Sequence, residues 1–407
     1  MRERSILHID CNKFYASVEA LFCPELKNMP FAVGGDPASR HGIILTRNDI
    51  AGSYGVKTGE ALWEAYQKCP NLIVVKPNYD RYEEFSEKVN AICKTYSDKV
   101  ERFGLDECWI DVTDTAHLFG GAKNVAELIR TRVKEEIGIT VSIGVSFNKV
   151  FAKLGSDYKK PDAITVFSRE NFKEKVWPLP VSSLIYAGRA TCKELKSIYI
   201  KTIGDLAIAN PLFLEKKFGK NIISLYNYAN GNDFSPVMNV ETKRTLKSMS
   251  NSTTTKEDMT SPYEIKAVFC VLSEHLSERL SKIDKRALRI GIYVRETSLK
   301  TATRQKILKA PINTSYEITK EAFSLFSENW DFKNPLRSIG ITLSDFEDEE
   351  MQINLFYNNK KENLEKAINN LKEKYGKKSV THAISLLNTN ELAPFGHNVF
   401  SHIQNIS

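Results

Sequence analysis

Three carboxylates in this sequence stand where chemistry could use them. Asp10 ends the apolar run Ser5-Ile-Leu-His-Ile-Asp10, and Asp106 and Glu107 stand at the tip of a second apolar segment, Val100 to Val112. An acid inside an apolar, β-prone run is costly to bury unless it is paired or bound to a cation. Two such runs pairing as neighbouring strands would gather all three acids at one point. Hard oxygen ligands of that kind suit Mg²⁺, which keeps its waters and shares its shell with substrate phosphates. Taken singly, Asp10 is better explained as a turn acid, and Asp106-Glu107 are explained as well by a hairpin tip as by a ligand pair.

The flanking sequence says which elements would position them. Residues 1–25 read as strand then helix, with Phe14, Val18, Leu21 and Phe22 at helical spacing. The Pro- and Gly-rich stretch 26–79 predicts short elements in a small insertion. A helix is expected from Arg81 to Tyr96, then the acidic hairpin, a helix at 122–137 and a strand Thr140–Val145. This order implies one α/β unit interrupted by a small subdomain. Short helices follow from 168 to 235, with Ser183–Leu195 and Ile203–Leu206 as a paired set, and then a polar linker. Helices at 262–281 and 316–328 alternate with strand-like runs. In one of these, Leu288, Ile290, Ile292 and Val294 alternate with Arg289, Gly291, Tyr293 and Arg295. One face is apolar and the other basic, as for a sheet facing a polyanion. An amphipathic helix carrying Leu364, Ile368, Leu371 and Tyr375 is ended by Gly376.

Bulk properties exclude several classes. The 407 residues are too many for one core, so two to four domains are expected. No run reaches the roughly 18 apolar residues of a membrane span, and the N-terminus is not a signal peptide, so the cytoplasm is expected. Seven cysteines are scattered without a C-x-x-C pair, which argues against a zinc or disulfide framework. The net charge of +7 is concentrated: residues 279–309 hold ten Lys/Arg against two acids. Such clustering suits phosphate binding, but a solvated face explains it equally well at this point.

Three runs together carry a resemblance. His8-Ile-Asp10-Cys-Asn-Lys-Phe-Tyr15-Ala-Ser-Val-Glu19, Gly104-Leu-Asp106-Glu107-Cys-Trp-Ile-Asp111 and Ser146-Phe-Asn148-Lys149-Val-Phe-Ala152-Lys153…Asp157-Tyr-Lys-Lys160-Pro161 resemble, in order and spacing, the signatures of the Y-family (UmuC/DinB-type) translesion DNA polymerases. The resemblance covers about 1–350. It implies an α+β multidomain, right-hand polymerase. A ferredoxin-like palm would span 1–21 and 80–167, small fingers 22–79 and a helix-hairpin-helix thumb 168–235. A linker at 236–244, an α/β little finger at 245–346 and a C-terminal tail at 347–407 would follow.

By resemblance, Asp10, Asp106, Glu107 and the Cys11 backbone carbonyl hold two Mg²⁺ ions, with Asp10 and Asp106 bridging them and Glu107 on the primer side. Tyr15 falls on the steric gate against a 2′-hydroxyl. Thr46 and Lys160 fall on triphosphate contacts. The implied reaction is in-line attack of a primer 3′-hydroxyl on a dNTP during error-prone, template-directed translesion synthesis. Gly188, in Ile185-Tyr-Ala-Gly188, falls on the second glycine of the thumb hairpin, whose exposed N–H groups bind a DNA phosphate. Arg289, Arg295, Arg304 and Lys306 are expected on primer-template DNA. Gln352-Ile-Asn-Leu355-Phe356 resembles a peptide that docks on the bacterial sliding clamp. A monomer is expected.

The fingers depart from the family pattern N-Y-E-A-[RK]-x-[FY]-G-V. Asp49 and Gly52 stand where a tyrosine and a cation usually bind triphosphate. Lys13, Arg47 and Arg40 could compensate, and Lys13, one turn after Asp10, is the expected one. The altered pair supports an alternative: a catalytically weak scaffold that binds DNA and clamp. A palm-fold cyclase is a further rival, disfavoured by the basic C-terminal region.

Overall fold

The computed structural model describes residues 3–35, 42–239, 242, 245–331, 333–348, 360–376 and 379–386. The chain divides into two compact units, Met1–Lys243 and Arg244–Ser407.

The first unit is built on a five-stranded sheet whose central strand is Ile6–Cys11, buried at every residue. Glu107–Asp111 and Val141–Ser146 flank it, both antiparallel. Val100–Arg102 forms one edge, and Ile164–Phe167 runs parallel to Val141–Ser146 at the other. A central strand covered on both faces must be apolar throughout, which is why Ser5–Ile9 reads as it does. Alternation then divides its side chains. Leu7, Ile9 and Cys11 join the core of the helices Phe14–Phe22, Tyr79–Lys94 and Ala122–Arg132. Ile6, His8 and Asp10 lie on the opposite face, where Ile6 packs with Trp109 and Ala152 of the helix Lys149–Tyr158.

That helix and the strand after it are absent from the elements expected above. Both are short, ten and four residues, too short for periodicity to distinguish. Asn148 starts the helix by accepting the Phe151 N–H at 2.7 Å. The helix lies very close to the sheet: a Cβ on Gly144 would stand 1.9 Å from the Ala152 carbonyl oxygen. Only glycine permits this approach.

Other boundaries also differ. The Arg81–Tyr96 helix is Tyr79–Lys94, because the Asn78 side chain accepts the Arg81 N–H. The 122–137 helix is α-helical to Arg132 and widens into a π-turn, Val133–Ile137, before Gly138. A small three-stranded sheet, Phe31–Gly34, Ile44–Arg47 and Ile73–Val75, packs with the helices Asp49–Ser53 and Leu62–Lys68 around its own core. The helices Arg189–Ser197, Ile203–Ile208, Pro211–Phe218 and Asn221–Ala229 share another.

The second unit is a four-stranded antiparallel sheet with the strands Thr301–Ile312, Lys285–Glu296, Leu336–Asp348 and Ser248–Met259 side by side. The helices Pro262–Ser281 and Ser315–Asn329 cover its apolar face. Ile290, Ile292 and Val294 are buried there, but Ala287 rather than Leu288 continues the buried set. The pairing with Thr301–Ile312 is irregular at that point. Lys360–Tyr375 forms the expected late helix, followed by Gly376 at φ 95°.

Gly144→Ala should destabilise the protein by about 3 kcal/mol, since a methyl group there meets backbone that cannot yield. The shift of the denaturant midpoint checks this. A loss under about 1 kcal/mol would show that the helix has room to move.

Candidate functional site

Register, rather than chain proximity, brings the acids together. Asp10 stands directly opposite Glu107 in the antiparallel pair, and the Cys11 N–H donates to the Asp106 carbonyl at 2.9 Å. The preceding turn uses Gly104 at φ 91°, a left-handed conformation that suits glycine in place of the family's serine.

The close helix supplies the counter-charge. Lys153 Nζ lies 3.0 Å from Asp10 Oδ2, 2.9 Å from Glu107 Oε2 and 3.2 Å from Asp157 Oδ2. Lys160 Nζ lies 2.7 Å from Asp10 Oδ1 and 2.9 Å from Asp157 Oδ1. Burial opposes the charge on both lysines, yet the surrounding acids outweigh it and raise both pKa values. Lys153 and Asp157 are site members to which the sequence reading gave no role. The i, i+4 spacing in the third motif was the available signal.

Among the described residues Asp106 makes no ion pair, and the nearby Lys153 charge lowers its pKa only in part. Burial, reinforced by the charges of Glu107 and Asp10, pushes its carboxyl up to about 7. A cluster that raises one of its own acids this far is short of positive charge, and its donors are all oxygens. Both properties fit divalent cations such as Mg²⁺. The Cys11 thiol faces the core, where burial and then Asp106 raise its pKa. His8 is fully buried with Nε2 3.3 Å from Glu107 Oε2 and Nδ1 2.8 Å from Ser156 Oγ. Burial, then Lys153, lowers its pKa and keeps it neutral.

Asn12 ties the surrounding loops. It donates to Ser142 Oγ at 2.9 Å and accepts the Asp162 N–H at 2.9 Å, anchoring the loop that carries Lys160. Tyr15 stacks on Tyr82, 4.2 Å between centroids and 17° between planes. Tyr82 donates to Glu19, which Arg81 pairs at 2.6 Å, so the ring's backing is itself fixed. Asp111 accepts from Thr113 at the strand's end, away from the cluster.

Thr46 is buried at the end of the small sheet. Lys13 adopts φ 48°, and its Nζ stands 2.5 Å from Asp49 Oδ2. The lysine therefore offsets Asp49 rather than adding surplus charge. A cleft of about 250 Å³ opens beside this pair, lined in part by Asn12, Ser17, Lys27 and Asn48. Arg40 lies outside the described residues, as do Gln352, Leu355 and Phe356.

Gly188 precedes the helix Arg189–Ser197, and a Cβ there would meet nothing within 4 Å. Tyr186, at the hairpin's first glycine position, takes φ 71°. In the second unit, Arg289 and Arg295 lie on the sheet face away from the buried Ile290, Ile292 and Val294, and Arg289 pairs with Asp345 at 2.8 Å. Arg304 and Lys306 do not share that face. Arg304 pairs across the sheet with Ile292, and Lys306 with Ile290, which puts both on the helix side. Lys306 Nζ accordingly reaches Glu321 of a covering helix at 2.9 Å. Counting residues along a basic run cannot reveal such a register. The open face instead carries hydroxyls at Ser250, Ser252, Thr254, Ser338, Thr342 and Thr303, among others.

Residues 9–157 match the impB/mucB/samB family, and residues 246–355 match its C-terminal domain. A solved Y-family DNA polymerase chimera superposes with a TM-score of 0.77 at 25% identity, over 84% of this chain and 99% of that one. The chain belongs to the Y family of DNA polymerases. DNA polymerase IV of Acetivibrio thermocellus is 43% identical over 94% of this chain and 98% of that protein. DNA polymerase IV 1 of Bacillus subtilis is 38% identical over 95% and 94%. The chain is accordingly a DNA-directed DNA polymerase of the translesion kind, with the α+β multidomain fold of that family and a metal-dependent nucleotidyl-transfer chemistry. The scaffold alternative is not favoured. Among the described residues, no helix is long and apolar enough to cross a membrane.

The raised Asp106 carboxyl fixes the sign of a pH effect. It lies above the ordinary carboxylate range, so below about pH 7 a proton occupies this carboxylate. Mg²⁺ should bind about tenfold more weakly at pH 6 than at pH 8, with proton release on binding. Calorimetry in buffers of different ionisation enthalpy checks this; a flat affinity would contradict it.

Proposed function

We propose that this polymerase extends a primer 3′-hydroxyl from a dNTP, with Asp10, Asp106, Glu107 and the Cys11 carbonyl holding two Mg²⁺ ions. The observation that carries the reading is the in-register Asp10–Glu107 pair beside a carboxyl pushed up to about 7. When bound, the ions lower the pKa of the attacking hydroxyl and offset charge on the triphosphate.

The protein's own groups do the positioning. Lys160 neutralises Asp10 here, and with cations on that carboxylate its ammonium would be free to pair with the triphosphate. Lys153 stays at the base of the cluster, neutralising Glu107 and Asp157. Tyr15, backed by Tyr82, closes the space beside the sugar against a 2′-hydroxyl. The Thr46 hydroxyl donates to a phosphate oxygen. The five-stranded sheet serves as palm, the small sheet as fingers, the short helices to 235 as thumb and the second unit as little finger. The start of the helix Arg189–Ser197, where Gly188 leaves room, offers its first N–H groups to a DNA phosphate at the thumb, the Gly188 N–H itself being used by the Tyr186 carbonyl. The hydroxyl-rich face with Arg289 and Arg295 lies along the duplex backbone, giving affinity without sequence readout. Gln352, Leu355 and Phe356 dock on the bacterial sliding clamp. The enzyme works as a cytoplasmic monomer.

Wild-type protein with Mg²⁺, dNTPs and a primer-template should extend the primer, and Asp106→Ala/Glu107→Ala should reduce the rate by about 10³-fold or more. Absence of extension by the wild type would sink the reading.

Arg289→Ala/Arg295→Ala should weaken DNA binding and flatten the log–log salt dependence by about 1–2 units, whereas Arg304→Ala/Lys306→Ala should change the slope by less. Fluorescence anisotropy across a salt series distinguishes the two pairs. Equal slopes for both would contradict the assignment by face.

A further inference from the structure

The fingers of this chain lack the usual cation at position 52, and Lys13 is spent on Asp49 at 2.5 Å. A different feature fills the gap. A Cβ built on Gly52 would stand 2.0 Å from Arg47 Nη1, 2.5 Å from its Cζ and 3.0 Å from Nη2. The Arg47 guanidinium therefore occupies the space in which a side chain at position 52 would begin. Gly52 is right-handed helical and needs no glycine for its φ, so a side chain there would meet the guanidinium first and would have to push it aside.

Arg47 ends the strand Ile44–Arg47 directly after Thr46, and Gly52 lies in the short helix that follows. Among the described residues its only hydrogen bond is a long one, Nη1 to the Asn48 carbonyl at 3.3 Å. Among the described residues it forms no salt bridge, unlike Lys13, Lys153 and Lys160. It is half-buried, so part of its hydration is already lost. A partly desolvated guanidinium with no acid beside it is suited to a phosphate, which it can grip with two parallel N–H groups.

We infer that Arg47 is the residue that binds the terminal phosphates of the incoming dNTP in this enzyme, reaching from the strand end into the space left by Gly52. The inference rests on the polymerase reading above. It makes residue 47 specificity-determining for a triphosphate over a mono- or diphosphate. It also explains why Gly52 is tolerated inside a helix, where glycine costs about 1 kcal/mol relative to alanine.

Steady-state insertion of a single dNTP by full-length protein tests it, with thermal denaturation of every variant. Arg47→Ala should raise the dNTP KM about tenfold, with a smaller change in kcat and little change in melting temperature. Gly52→Ala, which displaces the guanidinium by its flexible end, should raise KM in the same direction while leaving the fold intact. The double variant Arg47→Ala/Gly52→Arg should recover most of the lost affinity. An unchanged KM in Arg47→Ala would overturn the inference. So would a raised KM that Gly52→Arg fails to restore, because that marks Arg47 as merely structural. If Arg47→Ala does not fold, Gly52→Ala decides alone, with a KM equal to wild type overturning the inference. Loss of extension by the wild type would instead defeat the polymerase reading itself.

Discussion

The structure of the first unit depends on one unfavourable interaction: three carboxylates converge at the ends of adjacent strands. Mutual repulsion and burial both resist ionisation there, and Asp106 registers the strain as a carboxyl raised to about 7. Two lysines hold the rest of the charge in check. Lys153 binds Asp10 and Glu107, and Lys160 binds the other oxygen of Asp10. Both belong to the Lys149–Tyr158 helix or the turn after it, so that helix must approach the sheet closely. The glycine at 144 is the steric consequence of an electrostatic need. A residual deficit of positive charge of this kind attracts cations and repels a triphosphate, so an anion could be held there only once cations offset the acids.

The surroundings of Asp49 and Gly52 illustrate how charges can be redistributed within a neighbourhood. An acid at 49 would repel a triphosphate, and Lys13 cancels it. A glycine at 52 gives up a cation, and Arg47 stands in the vacated space. Charge is thus conserved over a neighbourhood rather than at a position. Family patterns written position by position treat these as two losses, whereas the geometry groups them as two exchanges. The rigid backing of Tyr15 by Tyr82, Glu19 and Arg81 is unaffected, since it arises from the other side of the helix pair.

Much of this was legible in the sequence, for identifiable reasons. The apolar runs around Asp10 and Asp106 predicted the strand pairing, because a central strand buried on both faces leaves a continuous signature. The helices Tyr79–Lys94, Pro262–Ser281 and Ser315–Asn329 were legible by periodicity to within a few residues. The Lys149–Tyr158 helix and the Ile164–Phe167 strand were not, being short and stabilised by a tertiary glycine contact. The roles of Lys153 and Asp157 were hidden with them. Arg304 and Lys306 were misplaced because the face of an edge strand depends on its register with Lys285–Glu296, which hydrophobic alternation in one strand cannot supply. Lys13 was expected from the sequence as the compensating cation; the fold adds that it does so by a direct ion pair with Asp49.

The central claim is that the carboxylate cluster is a site for two divalent ions, held ready by Lys153 and Lys160. Counting Mn²⁺ by electron paramagnetic resonance tests it most directly, using protein with primer-template and a non-hydrolysable dNTP. The account predicts two ions per chain with a spin-coupled signal in the wild type, and loss of that coupled signal in Asp10→Asn. A single uncoupled ion, or an unchanged signal in Asp10→Asn, would contradict it.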